Sequence, residues 1–116
     1  MSIELKTRDE GGFCIVDVAA ERIDAAVAIA FKDQMRAASD ASDGDVLLNL
    51  DTVSFIDSSG LGAIVAAMKQ LGAGRKLHLA SLNPAVEKVF RLTRMDSVFK
   101  IHDSLHSALG SNAGAA

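Results

Sequence analysis

Two adjacent hydroxyls, Ser58 and Ser59, follow an aspartate and precede a Gly-Leu-Gly string within Leu50-Asp51-Thr52-Val53-Ser54-Phe55-Ile56-Asp57-Ser58-Ser59-Gly60-Leu61-Gly62-Ala63. The apolar residues before them read as the end of a strand and the spacing after them as the start of a helix. The serines therefore fall where backbone N–H groups have no partner inside the helix and where negative charge is favoured. A hydroxyl at such a point is suited to gaining and losing a phosphate.

The catalytic templates that could use these residues do not fit. A hydrolase nucleophile elbow needs glycine two positions before and after the serine, whereas Ser59 has Asp57 and Leu61 there and Ser58 has Ile56 and Gly60. A dinucleotide loop needs a third glycine where Val65 stands, and Gly-Lys-Ser/Thr, the end of a phosphate-binding P-loop, occurs nowhere. Metal ligation has little to work with. His102 and His106 are four apart on what reads as the last helix, but no third ligand accompanies them, and His78 alternates with Leu77 and Leu79 as the outward face of a strand. No cofactor and no metal are expected.

Part of the motif has a purely structural use, since Asp57 or Ser58 is a natural helix cap and the glycines permit close packing. Capping does not require an aspartate and two serines in succession. It also leaves unexplained a small face, Gly62, Ala63 and Ala66, opposite the apolar positions of the helix that follows. Such a face allows another protein's backbone to approach, which points to docking.

The elements that must hold this motif are legible on either side. Ile3 and Leu5 alternate with polar residues, Glu10-Gly11-Gly12 makes a turn, and Phe13 to Val18 is rich in strand formers, so a β-hairpin opens the chain. From Asp24, read as an N-cap, to Ser39 the residues Val27, Phe31, Met35 and Ala38 share one helical face. Val46-Leu47-Leu48-Asn49-Leu50 is apolar enough for a central strand covered on both sides. Leu61, Ile64, Val65, Met68 and Leu71 follow helical spacing up to Gly72 and Gly74. Lys76 to Ala80 is a further strand, and Asn83-Pro84 starts a third helix with Val86, Val89 and Phe90 inside. Val98 to Ile101 forms a last strand, and Asp103 caps a last helix carrying Leu105 and Leu109. The alternation of strands and helices predicts an α/β domain over 1–109, with a mostly parallel sheet of four to five strands, an antiparallel hairpin strand at its edge and about four helices. Residues 110–116 contain nothing large to bury and are expected to fray.

Composition narrows the class. At 116 residues, 49% hydrophobic and 23% charged with net charge −3, the chain suits one globular core and not a nucleic-acid binder. The lone Cys14 sits in an apolar run and reads as a small buried side chain. The start of the chain has no signal-peptide pattern and no apolar run is long enough to span a membrane, so a cytoplasmic location without membrane insertion is expected.

Taken together, Val46 to Leu50, then Val53-Ser54-Phe55-Ile56-Asp57-Ser58-Ser59-Gly60-Leu61-Gly62, then Asn83-Pro84-Ala85-Val86 leading into Phe90, resemble the STAS domain family, and within it the stand-alone, SpoIIAA-like bacterial anti-sigma factor antagonists. The resemblance implies a phosphorylation switch without catalysis by this chain. It places the phosphorylated serine at Ser59, with Ser58 as the second choice. It implies as partner an anti-sigma factor that is also a serine kinase of the GHKL type, and a phosphatase that resets the switch. Asp24, Asp57, Ser58, Ser59, Gly60, Gly62, Ala63 and Ala66 are then the docking surface. One departure stands out, since Glu21 occupies the position where the family commonly has glycine, three residues before the loop aspartate Asp24. The same resemblance admits another role, an accessory subunit of a transporter of the lipid-importing ABC type or of a signalling complex, in which the serine is only a cap.

Overall fold

The computed structural model describes residues 3–72 and 74–114. Strands β1 (Glu4–Glu10) and β2 (Phe13–Ala19) form the antiparallel hairpin, with Glu10 opposite Phe13. Its turn residues Gly11 and Gly12 have φ of +61° and +85°, the left-handed pair a two-residue hairpin turn requires. A two-residue strand β3 (Arg22–Ile23) leads towards helix α1 (Ala28–Asp40), and β4 (Asp45–Asn49) follows. Another two-residue strand, β5 (Phe55–Ile56), precedes α2 (Ser58–Leu71). The chain continues through β6 (Leu77–Ala80), α3 (Pro84–Leu92), a 3-10 turn (Met95–Ser97), β7 (Lys100–His102) and α4 (Leu105–Gly114).

The main sheet has the order β1-β2-β4-β6-β7, with every pair after the first parallel, so the apolar strand β4 lies at its centre as its composition demands. Alternation along the strands builds two cores. Cys14, Val16, Val18, Val46, Leu48, Leu77 and Leu79 join Phe31, Met35, Ile64, Val86 and Phe90 of α1, α2 and α3. On the opposite face Phe13, Ile15, Leu47 and Ala80 meet Leu105, Ala108 and Leu109 of α4. Burying a large aliphatic side chain of this kind contributes about 1.5–3 kcal/mol.

Two expectations about helix ends are corrected. Helix α1 begins at Ala28 and not at Asp24, because Asp24 caps a separate turn: its carbonyl accepts the Val27 amide at 3.1 Å and its Oδ1 the Ala26 amide at 3.1 Å. The start of α4 is held by Ser104 and not by Asp103, since the Ser104 hydroxyl accepts the Ser107 amide at 3.0 Å. Asn83 precedes α3 as expected, yet its side chain is spent elsewhere, donating to the Val53 carbonyl at 2.6 Å and the Asp51 carbonyl at 3.2 Å. Helix α4 runs past residue 109 into the stretch whose composition favours fraying, and residues 115–116 lie outside the described residues. Among the described residues no helix is long and apolar enough to cross a membrane.

Candidate functional site

The site is assembled by the small sheet, which the strand patterns did not foretell. Strands β3 and β5 pair in parallel, Arg22 with Phe55 and Ile23 with Ile56, and the Asp57 amide donates to the Ile23 carbonyl at 3.4 Å. One residue beyond this pair, Asp24 and Asp57 leave the two strands side by side. Two chain segments more than thirty residues apart thus enter their loops from a common edge.

Asp57 then joins them. Its Oδ1 accepts the Gly60 amide at 2.8 Å, which makes it the N-cap of α2, and its Oδ2 accepts the Ala25 amide at 3.2 Å. The Gly60 amide is the main influence holding the Asp57 carboxyl below its ordinary value. Partial burial opposes it, and the Ala25 and Ser59 amides and the Arg22 guanidinium act in the same downward direction. Arg22 in turn donates to Asp24 Oδ2 at 3.2 Å and lies 4.1 Å above the Phe55 ring.

On this frame Ser58 and Ser59 occupy the first turn of α2, and both are exposed. A negative group on either hydroxyl would face amides at the positive end of the helix dipole. The adjacent Asp57 carboxylate is already committed to two backbone amides. Among the described residues no group of three or more His, Cys, Asp or Glu could hold a metal ion.

The small residues of α2 divide differently from the sequence reading. Gly60 is buried, and a Cβ there would lie 1.9 Å from the Ile23 carbonyl oxygen and 3.0 Å from Ile56 Cγ1. It is the point at which the helix touches β3, not a docking contact. Ala63 is only 2% exposed and belongs to the main core with Ile64 and Ala67, so it leaves the expected outer face as well. Gly62 is exposed with open space around it, and Ala66 is partly exposed. The outer face of small residues is reduced to these two.

Glu21 proves to be an ordinary position. Its backbone has no positive φ, and its carbonyl accepts the Ser54 amide at 2.8 Å and the Phe55 amide at 3.3 Å. The loop does not need glycine there. The histidines are also rearranged: His102 lies in β7 and not on the last helix, and it meets His78, while His106 is exposed on α4. His78 lies on a strand as expected, with its side chain only 14% exposed. Alternation placed it on the correct face, but nothing local could reveal that Phe13, Asp45 and His102 surround it there.

The family model described as STAS domain matches residues 3–108. A candidate anti-sigma factor antagonist of Thermotoga neapolitana is 40% identical over 65 residues, 55% of this chain and 58% of that protein, so the alignment spans little more than half of the curated relative. Among solved structures, a candidate anti-sigma factor antagonist of Thermotoga maritima matches with a TM-score of 0.78 at 28% identity, covering 94% of this chain and 92% of the other. An anti-sigma factor antagonist of Mycobacterium paratuberculosis matches with a TM-score of 0.83 at 27% identity, again covering 94% and 92%.

Proposed function

The chain belongs to the STAS domain family, and from that premise we propose that it is an anti-sigma factor antagonist controlled by phosphorylation of Ser59. Unmodified, it binds an anti-sigma factor with GHKL-type serine kinase activity in the cytoplasm, and the sigma factor is released. Phosphorylated, it lets that partner go, and a phosphatase restores it. Ser58 is the second acceptor. The chain supplies the hydroxyl and the docking surface, and the partner supplies the catalysis.

The observation that carries this reading is the exposure of Ser59 in the first turn of α2, on a helix start that Asp57 fastens to the Asp24 turn. Asp24, Asp57, Ser58, Ser59, Gly62 and Ala66 supply the docking surface in this reading. A phosphate brings about −1.5 to −2 charges and three acceptor oxygens. The helix N-terminus favours it by roughly 0.3–1 kcal/mol, so the fold tolerates the modification. A partner surface matched to the unmodified serine and two carboxylates meets additional bulk and charge, and every ~1.4 kcal/mol lost weakens binding tenfold.

Co-expression with the kinase encoded nearest to this gene, followed by intact-mass measurement, tests the proposal. One added phosphate, about 80 Da, mapped to Ser59 supports it. A kinase that binds the unmodified protein but leaves every serine unmodified removes the switch from the account, and one that does not bind at all removes the function.

A further inference from the structure

His78 and His102 come from neighbouring strands and approach to 3.0 Å between His78 Nδ1 and His102 Nε2. Their ring planes differ by 11° and their centroids are 5.3 Å apart. That separation equals the N···N distance plus two ring radii, so the rings lie edge to edge with the hydrogen bond in their common plane. The other nitrogen of His78, Nε2, stands 3.4 Å from Asp45 Oδ2.

This chain of groups has a direction. The Asp45 carboxylate can only accept, so His78 carries its proton on Nε2 and leaves Nδ1 as an acceptor. His102 must then donate from Nε2, which leaves its own Nδ1 as the vacant site for a further proton. The first proton added to the pair goes to His102 Nδ1 and preserves the bond. A second, on His78 Nδ1, would set two N–H groups against each other at 3.0 Å. The contact survives one protonation and not two.

The pair stands beside the seat of α4. The His78 ring lies 4.9 Å from that of Phe13 in an edge-to-face arrangement, and Phe13 belongs to the small core that receives Leu105, Ala108 and Leu109. His102 ends β7, two residues before Ser104, the residue that caps α4. The ionic surroundings are Asp45 from β4, Lys76 just before β6, Lys100 from β7 and Asp103 just after it. The α4 residues packed on this core, Leu105, Ala108 and Leu109, carry no charge, and neither does Phe13 of β2.

We propose that Asp45, His78 and His102 form a proton-operated latch that keeps α4 seated on the sheet at neutral pH and loosens it on acidification. Burial is the first cause disfavouring protonation of both imidazoles. Lys100 and Lys76 add to it for His78, as His78 and Lys100 do for His102, while Asp45 and Asp103 oppose it. The folded state therefore binds fewer protons than the unfolded chain once the pH falls below the ordinary imidazole value, and the latch weakens in that direction.

Nitrogen-15 spectra of the imidazoles at neutral pH read the arrangement directly, and the latch requires both rings protonated at Nε2. Hydrogen exchange of the whole protein, corrected for intrinsic rates, should show α4 amides losing roughly tenfold of their protection relative to β4 amides as the pH falls from about 6.5 to about 4.5. His102→Gln, whose amide can donate to the neutral His78 ring or turn to accept from the protonated one, removes the opposed N–H pair and should flatten that response, and His106→Gln should leave it intact. Either ring found protonated at Nδ1, or an α4 response that persists undiminished in His102→Gln, overturns the latch.

Discussion

The Asp57 carboxylate accepts the backbone amide of Ala25 at 3.2 Å across 32 positions of sequence. The same carboxylate caps α2 through Gly60, so one side chain sets the position of the serine pair against the loop that contains Asp24. Asp57→Ala should lower the denaturation midpoint and speed hydrogen exchange at both Ala25 and Gly60. Loss at Gly60 alone would mean that Asp57 is only a helix cap.

The lowered Asp57 pKa fixes the sign of its pH dependence. A carboxyl more acidic in the folded state than in the unfolded one contributes its full stabilisation above the unfolded value and loses it as the pH falls through the folded value. Wild type should lose stability below about pH 4, and Asp57→Asn should lose less over that interval. Parallel curves for the two proteins would contradict the assignment.

Gly60 and Gly62 should respond in opposite ways to the same methyl group. At Gly60 an added Cβ collides with the Ile23 backbone, and Gly60→Ala should cost about 1–3 kcal/mol or more. At Gly62 the space is open within a helix, and Gly62→Ala should stabilise by about 0.5–1 kcal/mol. Chemical denaturation of the two variants checks both signs. Gly62→Arg, folded but bulky on the exposed face, should weaken partner binding.

Asn83 tethers the segment that leads into β5, through its bonds to the carbonyls of Val53 and Asp51. Asn83→Ala should cost about 1–3 kcal/mol, since a partly buried carbonyl loses its donor. Faster exchange in residues 53–57 than in α3 would place the effect in that tether and not in a lost helix cap.

Ser59→Asp and Ser59→Glu should weaken binding to the anti-sigma factor while Ser59→Ala retains it, all three keeping the thermal midpoint near that of wild type. Titration calorimetry separates the outcomes. Equal affinity for all three would point to permanent docking, as in a transport assembly, with the serine acting only in the helix start.

Much of this architecture is written in local pattern. Alternation in β2 and β4, the Gly11-Gly12 turn and the 3.6-residue spacing of Val27, Phe31, Met35 and Ala38 each depend on neighbours a few positions away, and all reappear in the folded chain. The serine motif is equally local, because a helix start is marked by the residues that cap it. What lies inside and outside α2 is another matter. From Leu61 to Met68 every residue except Gly62 is apolar, so no polar stripe marks the outer face, and packing against β3 and the sheet chooses Gly60 and Ala63 as the inner contacts.

The remaining features exist only once distant segments meet. Two-residue strands such as β3 and β5 carry too little alternation to be recognised, and their pairing comes from register across the fold. The reach of Asp57 to Ala25 and the meeting of His78 with His102 are consequences of that register and of the strand order β4-β6-β7. The amino-acid sequence by itself determined which residues could form strands, helices and a modifiable helix start, since those depend on short-range sterics and periodicity. Tertiary structure alone decided which polar groups share a proton or an amide, because hydrogen bonds act over about 3 Å and nothing in linear spacing encodes that distance.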